Sequence, residues 1–226
     1  MAEKFYLVLY ELSRLIFRFT LINLLWIVVN LPVFIVMLQI ALTTEVSNLF
    51  VLLPLASLLL PVFFFPGTHA LIDSARALIK EDASFKPLSF FGYYKESFKK
   101  SFITGMVYTS LLTVGGYVFF LVYRSYFILS IVLIVLFFYL SIMVFYFLYL
   151  DAHYDMPIMW KVKQTTVFIL KHPLFAFTNF VLFLAIHYIL YTVSLILFVL
   201  FGTTLTVYAT YYLFIRKLDK LKARTT

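Results

Sequence analysis

The chain has 226 residues, 64% of them hydrophobic and only 12% charged, with a mean hydropathy of +1.04. A soluble fold of that size could not hide so much apolar surface, so the chain reads as an integral membrane protein. It has no cysteine, which excludes disulfides, thiol catalysis and cysteine-ligated metal. The formal charge of +8 is spread over four separate segments. That argues for membrane topology rather than a nucleic-acid-binding patch, and no nucleic-acid partner is expected.

Apolar runs long enough to cross a bilayer, about 20 residues each, lie near 19–42, 49–66, 102–123 and 126–150. A fifth run, 173–215, carries no formal charge and is roughly twice the length one crossing needs. It divides into spans near 173–191 and 195–215, with a turn at "YTVS" (191–194). The expectation is one all-α domain over 1–226, a polytopic bundle of six transmembrane helices. The first run lacks a short h-region and a small-residue cleavage site, so it is expected to remain as a span.

Seventeen of the eighteen basic residues fall in the N-terminus, the 2–3 loop, the 4–5 loop and the C-terminus, leaving Arg124 alone on the other side. By the positive-inside rule both termini are then cytoplasmic, and the protein sits as a multi-pass component of the cell inner membrane. The outer loops, 43–48 and 124–125, are too short to build an external domain. The basic segments lie where they would meet the bilayer's anionic headgroups.

Each odd-numbered span is preceded by a basic amphipathic stretch: "YELSRLIFRFTLINLL" (10–25), "YYKESFKKSFITGMVY" (93–108) and "WKVKQTTVFILKHPLFAF" (160–177). Leu12, Leu15, Ile16 and Phe19 share one face of the first; Tyr94, Phe98 and Phe102 share one of the second. Such helices are expected to lie in the interface before turning inward, giving three hairpins with cytoplasmic amphipathic entry helices.

In the first span, "NLLWIVVNLPVF" (23–34) places Asn23, Trp26 and Asn30 on one stripe, and Pro32 leaves the Val28 carbonyl without an intrahelical donor. Two amides and an indole N–H should face protein or trapped water, as interhelical contacts or as the lining of a solute path. Asn179 and His187, eight residues apart in the fifth span, are open to the same two readings. A neutral His187 would bond Tyr or Thr of the sixth span.

The second span carries Pro54, Pro61 and Pro66, and "PGTH" (66–69) is expected to mark its cytoplasmic exit. Thr68 would then cap a short helix, 68–82, with Ala70, Leu71, Ala75, Leu78 and Ile79 on its apolar face, and His69 would be solvated at the boundary. Arg76, Lys95, Lys99 and Lys100 form a candidate cytoplasmic face for docking or for lipid. "YLDAHYDMP" (149–157) alternates Asp151, His153 and Asp155. A helix would not place all three on one face, so a polar helix end with Asp155 capping the next helix is expected rather than a metal site.

No Asp, Glu, Lys or Arg falls mid-span, which weighs against an ion-coupled pump. No P-loop, nucleophile-and-base pair or HExxH is present. No catalytic, cofactor or metal residues are assigned, and the expectation is not an enzyme.

Four stretches in order, "NLLWIVVNLP" (23–32), "PGTHALIDSARALIKED" (66–82), "FFGYYKESFKKSF" (90–102) and "YLDAHYDMP" (149–157), resemble the YesL family of bacterial membrane proteins, a domain of unknown function. Where that family usually has Pro-Ala-Thr-x-Ala this chain has "PGTHA", and where it has Asn-Phe this chain has "SF" (97–98). The resemblance implies a bacterial inner-membrane protein associated with carbohydrate uptake, without assigned catalytic residues. The reading is an accessory or interaction component that docks a transporter subunit. The alternative is a small-solute transporter or channel lined by spans 1 and 5.

Overall fold

A computed structural model describes residues 2–80 and 86–223. Every regular element among them is helical: α1 (Ala2–Leu42), α2 (Val46–Leu59), a single π-helical turn (Leu60–Phe64), α3 (Phe65–Ile79), α4 (Ser89–Val122), α5 (Phe127–His153), α6 (Ile158–Lys171), α7 (Pro173–Val193) and α8 (Leu195–Lys222). Six helical stretches are long and apolar enough to cross a membrane: Leu9–Leu42, Ser47–Ile79, Ser89–Val122, Phe127–His153, Pro173–Val193 and Leu195–Lys222. Six such helices mark a multi-pass helical membrane protein.

The break between α7 and α8 falls at Ser194, whose hydroxyl accepts from the Leu197 N–H at 3.4 Å. Two of the three entry helices are not separate elements. α1 runs unbroken for 41 residues and α4 for 34, because nothing between entry stretch and span interrupts the backbone. At 1.5 Å per residue α1 is about 60 Å long, twice the hydrocarbon core. Only α6 stands apart. His172 takes φ −132°, ψ 54° ahead of Pro173, as steric exclusion from the α region before proline requires.

The helix of the second span does not stop at Pro66 either. The chain absorbs Pro61 in the π turn and continues helically to Ile79. Pro66 has no N–H for the Val62 carbonyl, and the Tyr94 hydroxyl of α4 donates to that carbonyl at 2.9 Å. Thr68 does not cap; its hydroxyl receives the Trp26 indole N–H at 3.3 Å. Of the helix expected at 68–82, Glu81 and Asp82 lie outside the described residues, as do the rest of 81–85 and Arg224.

α3 touches α1, α4, α5 and α8. It is buried on most sides, with Ala70, Leu71, Ile72 and Ala75 fully enclosed. α4 can approach because residue 105 is glycine. A Cβ there would lie 2.9 Å from the Pro61 Cα and 2.8 Å from the Phe65 ring. Beside α3, the ends of α5, α6 and α8 share an aromatic core, in which the Tyr149 ring lies 5.1 Å from Tyr211 and 5.6 Å from Phe214. The Tyr149 and Thr210 hydroxyls pair at 2.6 Å.

Candidate functional site

The stripe in α1 faces protein. Asn23, Trp26 and Asn30 are all buried. The Asn23 amide is inserted against the α8 backbone. Its Nδ2 donates to the Val199 carbonyl at 2.7 Å, and its Oδ1 accepts the Thr204 N–H at 2.9 Å and the Thr204 hydroxyl at 3.2 Å. Asn30 Nδ2 donates back to the Trp26 carbonyl at 2.8 Å, four residues earlier in its own helix, while its Oδ1 has no partner. Asn179 is buried as well, with Nδ2 donating to the Thr210 carbonyl of α8 at 3.2 Å. His187 is half-buried, and its Nδ1 pairs with the Phe183 carbonyl of its own helix at 3.1 Å. It lies between the Phe183 and Phe198 rings rather than against a span-6 hydroxyl.

These residues do not converge on one site. Asn23 and Asn179 contact α8 at separate levels, and none of the five lines the polar cleft beside α3. That cleft, about 220 Å³, lies where α3, α4 and the end of α5 come together. Its walls include His69, Asp73, Arg76, Glu96, Lys100, Asp151, His153 and Asp155.

The floor of the cleft is a buried charge network. His69 was expected to be solvated, yet it is only 6% exposed. Its Nε2 lies 2.7 Å from Asp151 Oδ2, and its Nδ1 lies 3.0 Å from Asp73 Oδ2 one helical turn away. The Nδ1 contact is too bent to count as a hydrogen bond and acts electrostatically. Asp151 also accepts from the Lys161 ammonium of α6. Lys161, read from sequence as a loop cation, is 1% exposed. Arg76 Nη1 donates at 2.6 Å to the Ala152 carbonyl in the last turn of α5 and stands 4.0 Å from Asp73. It thereby serves a carbonyl that the helix end leaves without a donor.

The rim is different. Lys100 of α4 pairs with Asp155 at 2.6 Å, and both side chains are largely exposed, at 52% and 92%. The Lys100 ammonium holds the Asp155 carboxyl below its ordinary range. Asp155 therefore reaches α4 and does not cap α6, whose first turn has no side-chain cap. Lys95 and Lys99 are exposed, whereas Arg76 of the same candidate face is half-buried. Within "YLDAHYDMP" the two carboxylates diverge, Asp151 to His69 and Lys161, Asp155 to Lys100. Among the described residues no three His, Cys, Asp or Glu side chains converge as a metal set. Both His69 ring nitrogens face carboxylates, which leaves neither to activate a hydroxyl. The nearby Ser97 hydroxyl is bonded to the Tyr93 carbonyl.

His69 and Asp73 are an i, i+4 pair and could be read from sequence. Asp151 could not, because His69 lies on a helix far away in the chain, and Lys161 could not, because the bend at 154–157 that turns it back onto Asp151 is not set by helical spacing.

Residues 19–121 match a family described as a protein of unknown function, DUF624. The match takes in His69, Asp73 and Arg76 and stops before Asp151 and Lys161, so the chain is similar to that family over somewhat less than half its length. No curated protein and no solved structure matches the chain.

Proposed function

We propose that the chain is a non-enzymatic accessory protein of the bacterial inner membrane. Its six spans form three hairpins with both termini in the cytoplasm, and it works by docking a partner at the cytoplasmic ends of its helices. The division of the basic residues, seventeen to one, supports this orientation. It places the charged cleft and the exposed Lys95, Lys99 and Lys100 on the cytoplasmic side. The resemblance to YesL proteins suggests that the partner is a subunit of a carbohydrate uptake system.

The observation that carries the reading is the use made of the intramembrane amides. A solute path needs polar groups turned to a common cavity. Asn23 instead spends three hydrogen bonds on α8, two with its backbone and one with the Thr204 hydroxyl, and Asn179 bonds α8 elsewhere. The second reading, a small-solute transporter, draws on the Asn30 and Asn179 Oδ1 atoms, which are buried without partners.

Two experiments done together separate the readings. Purified protein in liposomes should show no flux across a panel of sugars. Charge reversal at Lys95 and Lys99 should abolish its co-purification with a sugar-transporter subunit from native membranes. Sugar flux that Asn30→Leu alters would replace the accessory reading with the transporter.

A further inference from the structure

We propose that the His69 imidazolium, set between Asp73 and Asp151, latches α3 to α5 and, through Asp151, to α6, so that the end of the bundle carrying the cleft is a pH-sensitive clasp. This goes beyond the accessory role and does not depend on which partner docks.

The argument starts from the Nδ1 contact. Two unprotonated acceptors, an imidazole lone pair and a carboxylate oxygen, repel each other. They do not rest 3.0 Å apart in a buried site unless one of them carries a proton, and the imidazole is the stronger base. Charge balance makes the same demand. The enclosed groups are Asp151 at 3% side-chain exposure, Lys161 at 1%, His69 at 7% and Asp73 at 16%. Lys161 serves Asp151, and Arg76 stands 4.0 Å from Asp73 while donating to Ala152, so His69 is the one group in close contact with both carboxylates. Deprotonated, it leaves Asp73 only the more distant Arg76, which is costly for a largely buried carboxylate.

The cluster spans three elements. His69 and Asp73 belong to α3, Asp151 to the last turn of α5 and Lys161 to α6. α6 is a short helix set off by bends at 154–157 and His172. The buried Lys161 reaches Asp151, and His69 holds the same carboxylate from the other side. Loss of the imidazolium charge leaves α3 holding Asp151 by one neutral N–H at Nε2, and Lys161 becomes the sole cation on that carboxylate.

The other charged groups around the cleft are Arg76 of α3, Glu96 and Lys100 of α4, His153 of α5 and Asp155 of the linker. Lys80, Lys222 and Asp219 act on His153. Arg76 is committed to the Ala152 carbonyl and Lys100 to Asp155. Neither replaces the proton at Nδ1.

The native chain has no cysteine, so spin labels at Lys99→Cys on α4 and Lys163→Cys on α6 are the only ones. Both native side chains are exposed. The labelled full-length protein in nanodiscs should give a narrow inter-label distance distribution from mildly acidic to neutral pH. Above a midpoint in the alkaline range the distribution should broaden reversibly. His69→Gln cannot hold the proton, and should be broad at every pH with no midpoint. Should that variant fail to fold, ¹⁵N-histidine spectra of the unaltered protein decide instead. Of the four histidines, one should show both ring nitrogens protonated at neutral pH and should titrate at the midpoint of the distance change. A distribution unchanged across the whole range overturns the proposal. So does a midpoint that survives His69→Gln, or four histidines that are all singly protonated at neutral pH.

Discussion

Replacing Lys161 with methionine tests whether the network under the cleft holds α6 in place. Methionine keeps most of the unbranched stem and its packing while deleting the ammonium. The Asp151 carboxylate, 3% exposed, then loses one of its two cations. Removing one partner of a buried ion pair costs about 3–5 kcal/mol, because the other charge stays buried without compensation. Here His69 Nε2 remains at 2.7 Å, so the cost belongs at the low end, about 3 kcal/mol. Reversible unfolding in mixed micelles with increasing denaturing detergent measures it. The double variant Asp151→Asn, Lys161→Met supplies the control. Asparagine can still accept from the His69 N–H through its Oδ1, and no unpaired carboxylate is left. The double variant should therefore be more stable than Lys161→Met alone, by about 1–2 kcal/mol, the usual penalty of an unsatisfied buried group. A single variant within about 0.5 kcal/mol of the native protein would refute the reasoning, since that is the scale of ordinary surface changes.

The two α1 amides should behave differently. Asn23→Leu deprives the Thr204 N–H and hydroxyl of their acceptor and should cost about 2 kcal/mol in thermal unfolding. Asn30→Leu deletes one bond within its own helix together with an unpartnered oxygen, and should change stability by less than about 1 kcal/mol; equal effects would sink the distinction. Gly105→Val drives side-chain atoms into Pro61 and the Phe65 ring. It should lower the unfolding midpoint far more than Gly116→Val, where no atom lies within 4 Å of the added Cβ. Lys100→Ala should leave stability unchanged, because the pair is exposed. It should also let the Asp155 carboxyl titrate at higher pH. The pair is present above that carboxyl's depressed value and is lost as pH falls through it. Carboxyl chemical shifts would show the move, and an unmoved titration would mean that the contact is absent in solution. Reporter fusions after Leu42, Arg124 and Thr226 should report outside, outside and inside; an external C-terminus would overturn the proposed orientation.

Which features the sequence disclosed follows from the range of the forces involved. The apolar runs, the break at 191–194 and the aromatic ladder of Tyr94, Phe98 and Phe102, with rings 5.8 and 6.0 Å apart, are local. Their periodicity is written within one helix. Where the expectation missed, a neighbour had supplied what a local rule assumed absent. Thr68 was expected to start a new helix after Pro66, but the Tyr94 hydroxyl meets the Val62 carbonyl that Pro66 frees and the helix goes on unbroken. Thr68 looked like a cap because its hydroxyl had no other visible use; the Trp26 indole gave it one. Asp155 was assigned to the helix that follows it, and Lys100, fifty-five residues away, claims it.

The same contrast separates the two kinds of polar burial in this protein. In the apolar part of the bundle each amide reaches the nearest backbone, either that of α8 or that of its own helix. Such bonds are pairwise, so they leave the amides at separate levels and create no shared polar volume. At the helix ends the groups are ionic, and no single partner neutralises them. Asp151 needs both His69 and Lys161, and His69 in turn faces Asp73. A network rather than a pair results, and it must bring α3, α5 and α6 to one place. This is why a concave polar surface forms beside α3 and not at the amides of spans 1 and 5. It is also why the search for this chain's function belongs at the cleft.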